Sequence, residues 1–193
     1  MQVERYFPTM ILKEEDVALA HFLSPVVDKY LSSGVSELHG IKGHRSSYHN
    51  GELNKALNEE PEILEFKKIV VSCGKEFLKY RGYNADLINF NPFVFVSQIH
   101  QGAFFHRHAH PNSVLSGVFY VEAYPQNAGL IIHDPRPYKM FTELPVSEPM
   151  YENATEISFD VNTGLMFMWD SWMEHEVPQN QSELPRKTLV FNL

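Results

Sequence analysis

The sequence predicts a mainly β protein, an antiparallel sandwich or jelly roll with helices packed on one face. Three observations carry that expectation. After Asn89 the chain breaks into short apolar runs rich in Val, Ile, Phe and Tyr, bounded by Pro, Asn and Gly. Before it, two stretches carry apolar residues at helical spacing. The length of 193 residues, with 44% hydrophobic and 21% charged residues, suits one well-cored domain. Residues 1–193 are therefore expected to form a single domain, with 1–90 as mostly helical support and loop and 91–193 as the β core.

Each element has its own signal. Leu19, Phe22, Leu23, Val26, Val27 and Tyr30 recur at helical spacing over 14–31, where Pro25 is expected to kink or split the helix. Residues 33–53 carry Gly34, Gly40, Gly43 and Gly51 among Ser and His, and read as a long loop. A second helix is expected from a cap at Asn58 and Pro61 in the first turn. Its stripe runs Ile63, Leu64, Phe66, Ile69, Val70, Cys73, Phe77, Leu78 and Tyr80, and Gly82 stops it. Strands are expected near 93–99, 114–123, 130–133, 156–159, 165–169 and 187–192, with shorter pairings around 104–108 and 139–141. The 33–53 loop and the irregular stretch 145–155 are candidate lids.

Charge and cysteine usage narrow the class. Sixteen Lys and Arg stand against 24 Asp and Glu, a net charge of −8 with no local basic patch, so no nucleic acid is indicated. The single cysteine, Cys73, excludes an internal disulfide framework and leaves cysteine-rich zinc modules without ligands. No run approaches the roughly 18 apolar residues of a membrane span. The opening Met1-Gln2-Val3-Glu4-Arg5 also lacks the layout of a signal peptide. A cytoplasmic protein without a membrane partner is the expectation. Ten histidines remain, four of them within residues 100–110.

Three of those four lie in Phe104-Phe105-His106-Arg107-His108-Ala109-His110-Pro111. In a strand, His106, His108 and His110 share one face and Phe105, Arg107 and Ala109 the other. Two adjacent members of the row can hold one metal, and imidazole suits Fe, Zn, Cu and Ni. The best third ligand is His175, which follows the apolar strand 165–169. Any one of these histidines alone reads better as a polar strand or loop residue, and only the combined pattern favours a site. Eleven residues further on, alternation places Arg186, Thr188, Val190 and Asn192 on one face. A guanidinium and a hydroxyl can there share a pocket and hold a carboxylate; taken alone, Arg186 reads as a surface residue at a strand entrance.

The run His108-Ala109-His110-Pro111-Asn112-Ser113-Val114-Leu115-Ser116-Gly117-Val118-Phe119-Tyr120-Val121 resembles the iron(II)- and 2-oxoglutarate-dependent dioxygenases, in particular their small prolyl-hydroxylase-like oxygenases. The likeness continues through Gly129 to Arg136 and Gly164 to His175, and ends at Arg186 and Asn192. It implies a double-stranded β-helix with Fe(II) at one mouth, held by His108, His110 and His175. His110 stands where the wider superfamily has a carboxylate. His106 with His108 is a second possible pair, and Asp134 or Asp170 a possible anion. By the same resemblance, Arg186, Thr188 and Tyr120 bind the far carboxylate of 2-oxoglutarate. His133, Asp134 and Arg136, in what resembles the family's Asp-Pro-Arg turn, are candidates to face the substrate, though Asp134-Pro135-Arg136 reads equally as a plain turn. The implied reaction couples oxidative decarboxylation of 2-oxoglutarate to C–H hydroxylation of a small molecule or side chain. Two other readings stay open: a cupin-like metal dioxygenase or isomerase without 2-oxoglutarate, and a metal-free binding module on the same fold.

Overall fold

The structure, a computed structural model, describes residues 1–4, 7–127, 129–136 and 144–193. Strand β1 (Leu12–Glu15) precedes helix α1 (Val17–Ser32). The expected helix start at residue 14 gives way because Asp16 caps the helix, accepting a hydrogen bond from Leu19 N–H at 2.8 Å. Pro25 does not split α1. It stands on the exposed face, where water can satisfy the backbone carbonyl that loses its partner.

The expected 33–53 loop contains more order than its composition suggested. Strand β2 (Ser36–Glu37), a 3-10 turn (Leu38–Gly40) and β3 (His44–Ser46) lead to helix α2 (Gly51–Glu59), which Asn50 caps. Helix α3 (Pro61–Tyr80) follows after the single residue Glu60. Asn58 therefore lies inside α2 and is not the cap of α3. Its amide instead donates to the Val94 carbonyl at 2.6 Å and accepts from Val94 N–H at 3.2 Å, tying α2 to the sheet. Gly82, at φ +83°, ends the α3 region as expected. Leu64 and Tyr80 of the expected α3 stripe face outward.

The remaining strands are β4 (Phe93–Ile99), β5 (Phe105–His108), β6 (Leu115–Glu122), β7 (Leu130–His133), β8 (Glu156–Phe159), β9 (Leu165–Asp170), β10 (His175–Val177) and β11 (Arg186–Asn192). All but one of the sequence-predicted strands are present, within a residue or so at each end. The pairing expected at 139–141 lies outside the described residues, and 145–155 holds turns without a strand.

Two antiparallel sheets result, a seven-stranded one in the order β1-β9-β6-β11-β4-β3-β2 and a four-stranded one in the order β5-β10-β7-β8. The larger sheet is buried on both faces, which explains its nearly continuous apolar runs. Phe119, Val121, Met166, Met168, Leu189 and Phe191 point to the helices, where Leu23, Val27, Phe66 and Val70 meet them. Val118, Tyr120, Leu165, Phe167 and Trp169 point the other way, toward Leu130 and Ile132 of the smaller sheet. At Gly117 a Cβ would lie 2.2 Å from the Phe191 ring, so only glycine lets these strands pack. Among the described residues no helix is long and apolar enough to cross a membrane.

Candidate metal centre

Strand β11 runs through the middle of the larger sheet and presents Arg186, Thr188, Val190 and Asn192 to the gap between the sheets. That is the face alternation predicted. A cavity of about 390 Å³ lies there, and all four residues line it. At the Asn192 end three histidines meet. His108 closes β5 and pairs directly with His175 on β10, with ring centroids 4.2 Å apart. His110 is brought in two residues later, its backbone N–H donating to the Ser171 carbonyl at 2.9 Å.

The metal-facing nitrogens of His108, His110 and His175 lie within 4.8 Å of one another, the only such cluster among the described residues. His106 does not join it. Between the pairs His175↔His108 and Val177↔Phe105 the β5 strand advances three residues while β10 advances two. This bulge puts Phe105 and His108 on the cavity side and turns His106 outward to pack on Phe104. The predicted alternation of His106 with His108 is thus broken by one extra residue.

Burial keeps all three imidazoles neutral near pH 7. It pushes His108 down to about 4, lowers His110, and lowers His175 well below the usual range, where the neighbouring His108 and His110 add to the effect. Their Nδ1 atoms are engaged by oxygens: the His106 carbonyl at 2.7 Å, Asn192 Oδ1 at 2.6 Å and the Met173 carbonyl at 3.1 Å for His108, His110 and His175 respectively. With the proton on Nδ1, the Nε2 lone pairs converge, those of His108 and His110 at 3.1 Å. Such a contact repels unless a cation lies against it. The donor set therefore fits a divalent first-row metal, with imidazole as its only ligand type.

Neither aspartate considered as an extra ligand is available. Asp170 is clasped by Arg81, with two bonds of 2.7 and 2.8 Å, and Asp134 is engaged by Arg136. Both anions are spent on guanidinium groups. Of the substrate-side candidates His133, Asp134 and Arg136, none lines the cavity. His133 stands between Glu156 and Glu176 at 3.5 and 3.6 Å, because it is one residue out of phase with the inward Ile132.

At the other end of β11, Arg186 is 3% exposed. Its Nη1 donates to the Gly129 carbonyl at 3.2 Å, and the guanidinium lies 5.4 Å from the centre of the Tyr120 ring. Burial pushes its pKa down and that of Tyr120 up. Thr188 sits opposite Tyr120 on β6 and Ser97 on β4. A buried cation, a hydroxyl and a phenol lining one cavity suit a carboxylate.

Two lining histidines escaped the sequence reading. His39, in a left-handed backbone conformation at φ +51°, stacks on Phe105. His44 is 3% exposed, contacts Ser97 Oγ through Nε2 at 2.9 Å, and is pushed down to about 4 by burial and by Arg186. Both belong to the glycine-rich stretch before β4, where two- and three-residue pairings leave no periodic signal.

Comparison with curated proteins finds no match. Solved structures resemble the chain throughout. A prolyl-4-hydroxylase from Pseudomonas putida superposes with a TM-score of 0.63 at 13% identity, covering 95% of this chain and 91% of that one. A prolyl hydroxylase from Trichoplax adhaerens, in complex with a hypoxia inducible factor oxygen degradation domain peptide fragment, gives 0.60 at 14%, over 94% and 82%. EvdO2 from Micromonospora carbonacea var. aurantiaca, complexed with 2-oxoglutarate, gives 0.60 at 12%, over 95% and 85%. At these identities the likeness speaks for the fold, a double-stranded β-helix. The sequence family described as "Putative 2OG-Fe(II) oxygenase" matches residues 94–192, just over half of the chain and the part that carries all three histidines and Arg186. This chain belongs to that family of 2-oxoglutarate and iron(II) oxygenases.

Proposed function

We infer that the chain uses His108, His110 and His175 to hold Fe(II), and Arg186, Thr188 and Tyr120 to hold the far carboxylate of 2-oxoglutarate. The reaction is hydroxylation of a C–H bond in a small molecule or side chain by O2, whose second oxygen atom enters succinate as 2-oxoglutarate is decarboxylated to succinate and CO2, in the cytoplasm. One observation carries the reading: a single strand, β11, borders the histidine cluster at Asn192 and places a buried guanidinium at Arg186 in the same cavity. Bound iron supplies the oxidising chemistry. The chain's part is to position and to exclude water.

His108, His110 and His175 would hold the metal by three imidazoles, a donor set that would leave room for cosubstrate and O2. Arg186 gives charge and two donors to a carboxylate, and its contact with Gly129 fixes where they point. Phe105, Trp169, Val118 and Val190 keep the space between apolar, which strengthens every charge interaction inside it.

Anaerobic titration of the protein with Fe(II) and then 2-oxoglutarate tests this directly. The expected result is the charge-transfer absorption of the chelate, appearing only when both are present. Iron binding without any response to 2-oxoglutarate overturns the reading in favour of a cupin-like metal enzyme. Absence of iron binding leaves the metal-free module.

A further inference from the structure

We propose that Asn192 is a positioning residue of the metal centre, its side-chain oxygen holding the His110 ring with the proton on Nδ1 and Nε2 turned to the metal. The proposal rests on reading His108, His110 and His175 as the metal ligands. The three histidines are not held alike. His108 and His175 each use a backbone carbonyl two residues earlier in the chain, so their ring orientation comes with the strand. His110 lies beyond the end of β5, and its Nδ1 is met by a side chain 82 residues away.

A carbonyl can only accept, so the tautomers of His108 and His175 are set by chemistry alone. An asparagine amide can meet Nδ1 with either its oxygen or its nitrogen. With nitrogen there, Nδ1 would accept and Nε2 would carry a proton aimed at the metal position. His110 would then be no ligand. In the structure the amide stands with its oxygen toward the ring, and two buried serines extend the network from that same oxygen. Ser116 Oγ donates to Asn192 Oδ1 at 2.7 Å, and Ser171 Oγ lies 2.7 Å from Ser116 Oγ. The run of donors is then Ser171 to Ser116 to Asn192, with His110 donating to the same oxygen. Both serines are fully buried, so water does not compete. Ser171 also accepts the His110 backbone N–H through its carbonyl, so one residue steadies both ring and backbone. Its own N–H donates to the Val114 carbonyl at 3.1 Å.

A neutral amide is a modest partner for a ligating imidazole; a carboxylate at the same place makes the ring a stronger donor. The test uses the whole chain and Co(II), titrated anaerobically and followed by its ligand-field absorption, beside far-ultraviolet circular dichroism of the metal-free protein. Asn192→Ala is expected to weaken Co(II) binding by roughly 10- to 100-fold. Asn192→Asp is expected to bind at least as tightly as wild type, and Ser116→Ala to lose several-fold. A merely structural role predicts the reverse order, since a buried charge disrupts packing more than a small truncation. Wild-type affinity in Asn192→Ala overturns the proposal, as does Asn192→Asp binding as weakly as Asn192→Ala while both remain folded. If Asn192→Ala does not fold, the Asn192→Asp and Ser116→Ala titrations decide alone. Failure of the wild-type protein to bind Co(II) overturns the ligand assignment itself, and is distinguishable because no variant then differs.

Discussion

Residues 1–93 and residues 94–192 both line the cavity, but they do so by different means. The later part supplies the groups whose chemistry is demanding: three imidazoles converging within 4.8 Å and a buried guanidinium. It carries Arg186 on β11, whose long ladders with β4 and β6 let the face of each residue follow from alternation, and gathers the histidines where β5 ends and β10 begins. The earlier part supplies a wall and a clamp. His39, His44 and Tyr48 close one side of the cavity from short pairings, and Arg81 at the end of α3 reaches Asp170 next to the Ser171 knot. Chemistry is written in side-chain types at fixed spacing, whereas support can be built from many residues.

The largest effect should come from the later part. His175→Ala, fully folded by circular dichroism, is expected to lose metal binding by more than the roughly 10- to 100-fold that outer partners carry. Turnover of 2-oxoglutarate should fall to background. Retained metal binding would move the centre away from these histidines.

Arg186→Ala separates the two ends of β11. It should weaken 2-oxoglutarate by about 100-fold, from the loss of two charge-assisted hydrogen bonds, and leave Co(II) affinity unchanged. Equal loss of both ligands would mean that Arg186 supports the fold and not the cosubstrate.

Arg81→Ala probes the clamp. Removing the guanidinium leaves the Asp170 carboxylate, 12% exposed, without its bidentate partner, and costs about 3 kcal/mol in urea denaturation. Asp170→Asn combined with Arg81→Met should recover much of that. A stability loss below about 0.5 kcal/mol in Arg81→Ala would show that the earlier part only covers the sheet.

How far the sequence reaches follows the same divide. His108, His110 and His175 are legible because few residue types bind metal, and two of them stand two residues apart just before an apolar strand. Arg186, Thr188 and Tyr120 are legible because β11 and β6 are central and paired on both sides. His44 is not, since a three-residue strand has no period to read. The Arg81 to Asp170 pair spans 89 residues, and nothing local to either end marks it. Asn192 falls on the right face by alternation, yet its role depends on Ser116 and Ser171, which are near it only in the fold. The motif at Asp134-Pro135-Arg136 resembles the family and still closes on itself as an ion pair away from the cavity.

The smallest effect sharpens the place near the histidines where strand alternation fails. A bulge in β5 sends His106 outward, so three histidines evenly spaced in sequence are not equivalent in space. His106→Ala should therefore leave Co(II) affinity within about twofold of wild type, well inside the effect of losing even an outer partner. His108→Ala in the same strand should abolish binding. If His106→Ala weakened the metal as His108→Ala does, the bulge would have to lie elsewhere, with His106 and His108 as the ligand pair. His110 would then have to leave the centre, and the contact between its ring and Asn192 would no longer bear on the metal.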